Sequence, residues 1–291
     1  MKREYILAGA SIFFWSTLAV CAKMLLGNYS NFQVLCLSSF FAAITLFLIV
    51  AVTGKLKLFK EYGMKKNCRI ALAGFPGIFL YHALYYGGAA LLPASDAFII
   101  NYLWPVVSIV FACIILKEKM NFRKILAVIL SFVGVAVVTG GSFSGFGGGE
   151  FTGAILCMLA AVSYGFYTVV NKKIDADQVF AMMINCVVSF VITAIYLIIQ
   201  GEFIIPVYDE LAGFIWSGVF TIAIPGITWI LALKKGNTAK ISNLAYITPF
   251  LSLVWSSVIL KESLTINCIA GLLLIITGIF IQLVKGKSEK E

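Results

Sequence analysis

The chain has 291 residues, of which 61% are apolar and 12% charged, and its formal net charge is +9. That balance lies outside the range of soluble domains, and at roughly 20 residues per apolar helix the length accommodates about ten membrane crossings with no sizeable soluble domain. The basic excess comes with no folded basic module, so it argues against a nucleic-acid binder and reads as a topology signal reinforced by anionic lipid.

In chain order, apolar runs fall at about 5–26, 32–53, 70–91, 94–116 and 125–141, and then at about 152–171, 178–200, 211–233, 238–260 and 268–285. Each can cross a hydrocarbon core of about 30 Å as a helix, and each is too long for the 9–11 residues of a barrel strand. The expected fold is therefore all-α, with ten transmembrane helices. A short basic flank leads straight into the first run, which favours a retained first helix over a cleaved signal peptide.

The cations set the expected orientation, because Lys and Arg concentrate on cytoplasmic ends. With both termini cytoplasmic, residues 55–69, 117–124 and 234–240 fall inside while 142–150 and 201–210 fall outside. Of the 22 cations, only Lys23 and Lys261 are then left toward the outside.

Sliding the chain by 144 positions lays Tyr102–Gly134 on Tyr246–Gly278. Pro105 meets Pro249, Ser108 meets Ser252, and Leu116-Lys117-Glu118 meets Leu260-Lys261-Glu262. About a third of these positions are identical, more than shared apolar composition produces. Five spans per half is an odd number, so the second repeat is expected upside down relative to the first. The division is residues 1–141 for the first five-helix repeat, 142–151 for an outer connector, and 152–291 for the second.

Helix number, inverted halves and a proline-containing fourth helix ending in a Lys-Glu turn together resemble the drug/metabolite transporter superfamily, in its ten-helix EamA-type branch. The run Asn101-Tyr102-Leu103-Trp104-Pro105, with His82 and Tyr85 one helix earlier, is similar to the bacterial aromatic amino acid exporters. The resemblance implies a plasma-membrane (bacterial inner-membrane), multi-pass protein that exports a small metabolite, an amino acid above all and an aromatic one among these. Transport of another amphipathic metabolite or drug, and a membrane-embedded small-molecule sensor, are the competing readings.

The spans themselves point to the same region. Proline removes the donor for the carbonyl four residues earlier, so Pro105, Pro249 and Pro225 should free acceptors at Asn101, Ala245 and Thr221, either for a polar site or as plain kinks. His82, the sole histidine, falls about 18 Å along its run, near the bilayer centre, where a polar group faces a cavity or a partner helix. It is a candidate substrate contact or proton-sensitive gate, with hydrogen bonding between helices as the alternative. Tyr85, Tyr102, Trp104, Trp15, Tyr164, Phe166, Trp229 and Tyr246 lie deep enough to wall a cavity for a flat or apolar solute, or to be packing. Asn101, Asn185 and Asn243 add neutral polar groups, with Asn185 read as interhelical glue. Glu118 and Glu262 are expected to fix their turns or to gate. Lys23 and Lys172 occupy matching places in the first helix of each half.

Mid-membrane acids are missing from the pattern, which favours a zwitterionic or amphipathic solute over a bare ion. One histidine precludes a two-histidine zinc motif, and Gly145–Gly149 lacks the Lys-Ser/Thr of a phosphate loop. The seven cysteines lie in or beside helices without ligand spacing and read as packing residues. No enzymatic activity, cofactor or metal is expected. The partners are a small-molecule substrate and the lipid bilayer, and the residues fix no oligomeric state, a monomer sufficing. Transport is expected by alternating access, the halves rocking about a midplane cavity and sliding at Gly74, Gly77, Gly87 and Gly165.

Overall fold

A computed structural model describes residues 3–138, 148–235, 241 and 244–283. Every regular element among these is helical. The first half contains α1 (Arg3–Ser16), α2 (Leu18–Leu26), α3 (Asn31–Val52), α4 (Leu58–Gly74), α5 (Tyr81–Leu91), α6 (Ala94–Asn101), α7 (Trp104–Ile115) and α8 (Phe122–Val138). The second contains α9 (Gly149–Asn171), α10 (Gln178–Gln200), α11 (Tyr208–Ile215), α12 (Ile224–Lys235), α13 (Thr248–Ile259) and α14 (Ile266–Leu283). Six rods are long and apolar enough to cross a membrane: Arg3–Leu26, Asn31–Val52, Ala94–Ile115, Gly149–Asn171, Gln178–Gln200 and Tyr208–Lys234. Ala245–Ile259 and Ile266–Ile281 are shorter apolar helices. Most of the glycine-rich connector, Asn243 and both chain ends lie outside the described residues.

The molecule is polar where a soluble protein is greasy. Ser38, Ser39, Ser189 and Thr193 are fully buried, whereas Val52, Leu72, Ile199 and Val258 are exposed. Hydrocarbon solvates the outer side chains as well as a protein core would, so helices associate through close packing and internal hydrogen bonds. Ser38 bonds Ser217 at 2.7 Å and Ser39 bonds Ser189 at 2.9 Å, both across the two halves of the sequence. The α8–α14 pair comes closest at Gly134 and Gly271: a methyl group on Gly134 would lie 2.7 Å from the Gly271 carbonyl.

The expected third and eighth spans are not simple α-helices. Residues Pro76–Leu80 and Trp216–Ala223 are π-helical. Wider turns of this type leave backbone groups for side chains to satisfy. Ser163 accordingly donates to the Pro76 carbonyl at 2.7 Å; past the second π-helix, in α12, Ser11 donates to the Pro225 carbonyl at 3.0 Å.

Pro105 and Pro249 do not kink continuous helices; each stands in the first turn of a new one, α7 and α13. A first-turn residue has no intrahelical acceptor for its N–H, so proline costs little there. The freed Ala245 carbonyl predicted from Pro249 does have a use: the Tyr102 hydroxyl donates to it at 2.5 Å, tying the two halves together.

The ends of the helices sort the polar contacts into two groups. At one end, Gln33 bonds the Ile204 backbone, and Glu210 accepts from Asn28 and Tyr29. Lys23 and Glu262 also lie there, on the turn before α6. At the other, Lys55 pairs with Asp177 at 2.6 Å, Lys173 donates to the Ile115 carbonyl, and Lys124 pairs with Glu118. The two Lys-Glu turns therefore sit at opposite ends of the α6–α7 rod, Glu262 beside Ala94 and Glu118 just past Ile115.

Candidate substrate site

The candidate site is an aromatic cluster where α5, α7 and α9 meet, just past the π-helical turn. The Tyr81 ring stacks parallel to Tyr85 at 6.0 Å, meets His82 edge-on at 4.6 Å, and lies 4.8 Å from Tyr164. Trp104 stands perpendicular to Tyr164 at 5.1 Å, and Tyr86 completes the His82 side at 5.6 Å. Close approach here depends on glycine: a methyl group on Gly77 would fall 2.1 Å from the Tyr167 ring, which itself neighbours Tyr164. A methyl group on Gly165 would collide with the Trp104 carbonyl at 3.0 Å. Gly87 meets nothing nearer than 3.4 Å.

Polar groups punctuate this surface. Asn101 donates its amide to the Tyr81 hydroxyl at 2.9 Å, while its side-chain oxygen is buried without a partner. The Tyr85 hydroxyl is likewise buried and unpartnered. Buried polar groups in folded proteins nearly always find partners, so two such groups in one cluster mark a place for water or ligand. His82 Nδ1 lies 2.7 Å from the Ile78 carbonyl. A carbonyl only accepts, so in the neutral ring Nδ1 carries the proton and Nε2 is left as an acceptor. No carboxylate takes part in these contacts.

His82, Tyr85, Asn101, Trp104 and Tyr164 are thus brought together, and Tyr102 adjoins them through α6. The other candidates occupy different places. Trp15 pairs with Trp229 at 5.3 Å, Phe166 with Phe111 at 5.3 Å, and Tyr246 with Phe280 at 5.6 Å. Asn185 fills the notch over Gly74, where a methyl group would lie 1.9 Å from it, and its oxygen has no partner. Sequence reasoning left Tyr81 out of the site, although its spacing of four from Tyr85 was the available signal. It also missed Ser252 and Ser256, one turn apart on α13, whose buried hydroxyls have no partners, and Thr248 one turn before them, beside the Tyr102 hydroxyl.

The EamA-like transporter family matches residues 2–140 and again residues 151–284, and the chain belongs to that family. An uncharacterized transporter, YvbV of Bacillus subtilis, is 33% identical over 222 residues, covering 73% of this chain and 70% of that protein. The aromatic amino acid exporter YddG of Ancylobacter novellus is 25% identical over 181 residues, covering 62% of this chain and 63% of the exporter. A crystal structure 20% identical in sequence superposes with a TM-score of 0.71 and covers 99% of both chains, which is a likeness of fold. The protein is a multi-pass membrane transporter, and its relatives are named as transporters and not as enzymes.

Proposed function

We propose that this transporter exports an amino acid with a flat side chain, by alternating access between two inverted five-helix halves. The halves are residues 1–141 and 152–291, joined by 142–151, with ten spans and both termini cytoplasmic. The observation that carries the substrate reading is the Tyr81–Tyr85–Tyr164–Trp104 wall combined with the unpartnered Tyr85 hydroxyl and Asn101 oxygen. Rings stack a planar side chain, and neutral donors and acceptors serve a zwitterion's ammonium and carboxylate without demanding a net charge. Relatives named aromatic amino acid exporters support the same class.

Support for inversion comes from the Lys-Glu turns at opposite ends of one rod, each with a left-handed lysine, φ 57° at Lys117 and 56° at Lys261. The end bearing Lys55, Lys124 and Lys173 is cytoplasmic on this reading, and the end bearing Glu262 is external. In proteoliposomes of purified protein, labelled tryptophan, tyrosine and phenylalanine should leave faster than alanine or nucleosides, with and without a pH gradient. A panel that shifts thermal unfolding but never crosses the bilayer would instead make the protein a sensor.

A further inference from the structure

The turn between α5 and α6 is held by two charged side chains from distant parts of the chain. The Lys23 ammonium donates to the carbonyls of Ala89 and Leu92, at 3.0 and 2.6 Å, closing the C-terminal end of α5. The Glu262 carboxylate accepts from the Ala94 N–H at 2.7 Å, the Ser95 N–H at 3.1 Å and the Ser95 hydroxyl at 2.9 Å, closing the N-terminal end of α6. Each charge has the sign that the helix end favours. Pro93, the residue at the cap position, makes no side-chain cap of its own, so α6 is capped only from the opposite half of the chain.

Directly before Glu262 runs α13, which packs on α1, α2 and α6. Its Thr248, Ser252 and Ser256 are spaced by four and buried; Thr248 lies beside the Tyr102 hydroxyl, whereas Ser252 and Ser256 are buried completely and their hydroxyls have no partners. A serine in an apolar helix ordinarily returns its hydroxyl to the carbonyl one turn back. At the far end of α6, the Asn101 oxygen is also buried and unpartnered. Water or solute would partner this row in a state in which the seam beside it opens.

We propose that the seam between α6 and α13 is the outer gate of the transporter, that Glu262 is its latch, and that Ser252 and Ser256 line the path opened by its release. The hydroxyls both donate and accept, so the path suits a zwitterion shedding its water. The proposal rests on the transport reading and on the external placement of Glu262. Glu262→Gln weakens the latch with little change of shape, because it removes the charge and sets an amide N–H against the backbone N–H of Ala94 or Ser95, one donor facing another.

The test uses Ser252→Cys and Ser256→Cys in an otherwise cysteine-free chain, with an impermeant methanethiosulfonate applied from outside. Reaction should be slow with Glu262 in place and rise tenfold or more with Glu262→Gln. It should rise a few-fold with Ser95→Ala, which removes one of the three bonds. Ser108→Cys, 144 positions before Ser252 on α7, should stay unreactive from that side. Unchanged rates in a Glu262→Gln protein of undiminished folded yield would overturn the latch, as would reactivity that rises only from the inside. Labelled amino acid efflux in the same vesicles separates the two readings: faster labelling without any efflux in the parent protein keeps the gate and removes the transport of amino acids.

Discussion

The turns at Leu116-Lys117-Glu118 and Leu260-Lys261-Glu262 share one backbone and differ in what their glutamates hold. In both, the leucine and glutamate N–H groups return to one carbonyl, that of Ala112 or Ser256, and the lysine between is left-handed. Glu118 then pairs with Lys124, in the first turn of the helix that follows, at 3.1 Å, with 48% of its side chain exposed. Glu262 crosses to the other half and caps α6 through buried Ala94 and Ser95. Equal sequence and equal local geometry thus lead to unequal roles, because the partner is supplied by tertiary packing.

The largest expected effect tests that contrast directly. Glu262→Ala strands two helix N–H groups in a buried place and should lower stability by about 1–3 kcal/mol. Glu118→Ala removes an exposed ion pair and should cost less than about 1 kcal/mol. Thermal unfolding in detergent measures both, and equal shifts would erase the distinction.

Next comes the comparison of the aromatic cluster around Tyr81 and Tyr164 with the pair Trp15–Trp229. Tyr85→Ala and Trp104→Ala should weaken substrate binding on the order of 1 kcal/mol, seen as a several-fold loss of flux per folded molecule. Trp229→Ala should cost less flux. If Trp229 proves the more sensitive, the binding wall lies at the Trp15–Trp229 pair instead.

His82 sharpens the same comparison at smaller amplitude. Its Nδ1 bond to the Ile78 carbonyl and its remaining acceptor can both be reproduced by an amide, so His82→Gln should retain more downhill flux than His82→Leu. A Gln variant that loses only pH-driven accumulation would assign proton coupling to the ring. Wild-type behaviour from Leu would take His82 out of the site.

The smallest effect is expected at the opposite end of the bundle. Burial raises the Asp177 carboxyl, but the Lys55 ammonium and the Phe180 N–H outweigh it and hold the group below its usual range. A depressed folded value contributes stability above the ordinary carboxylate range, which is lost as pH falls through the lowered value. Asp177→Asn keeps an acceptor for the start of α10 while removing the charge, so its acid stability profile should be flatter than that of the parent. Identical profiles would mean that the Lys55 pair contributes nothing at this end.

Ten apolar runs, their approximate limits and the segregation of cations could be read along the chain because each is a local property. Lipid demands length and apolarity from every crossing segment, so composition alone identifies them. The residues of the candidate site could be picked out in the same way, because His82, Tyr85, Asn101 and Trp104 are unusual inside apolar runs, and the structure gathers them. Other features depended on neighbours far away in sequence. Nothing in the hydropathy of residues 76–80 or 216–223 announces a π-helix, and the Pro76 carbonyl in the first and the Pro225 carbonyl just past the second are answered by Ser163 and by Ser11 from other helices. Pro105 and Pro249 were visible as breaks, but only packing turned the second into an acceptor for Tyr102.

By itself, then, the sequence determined a helical membrane protein, the number of its apolar runs and the clustering of its cations, and it pointed to the aromatic and neutral polar residues of the candidate site. The tertiary structure decided which aromatic groups share that surface, which hydroxyls are left unpartnered, and which of two identical Lys-Glu turns holds the halves together. The physical reason is that hydropathy acts residue by residue, whereas a hydrogen bond or a ring contact requires a second group whose position only the folded chain supplies.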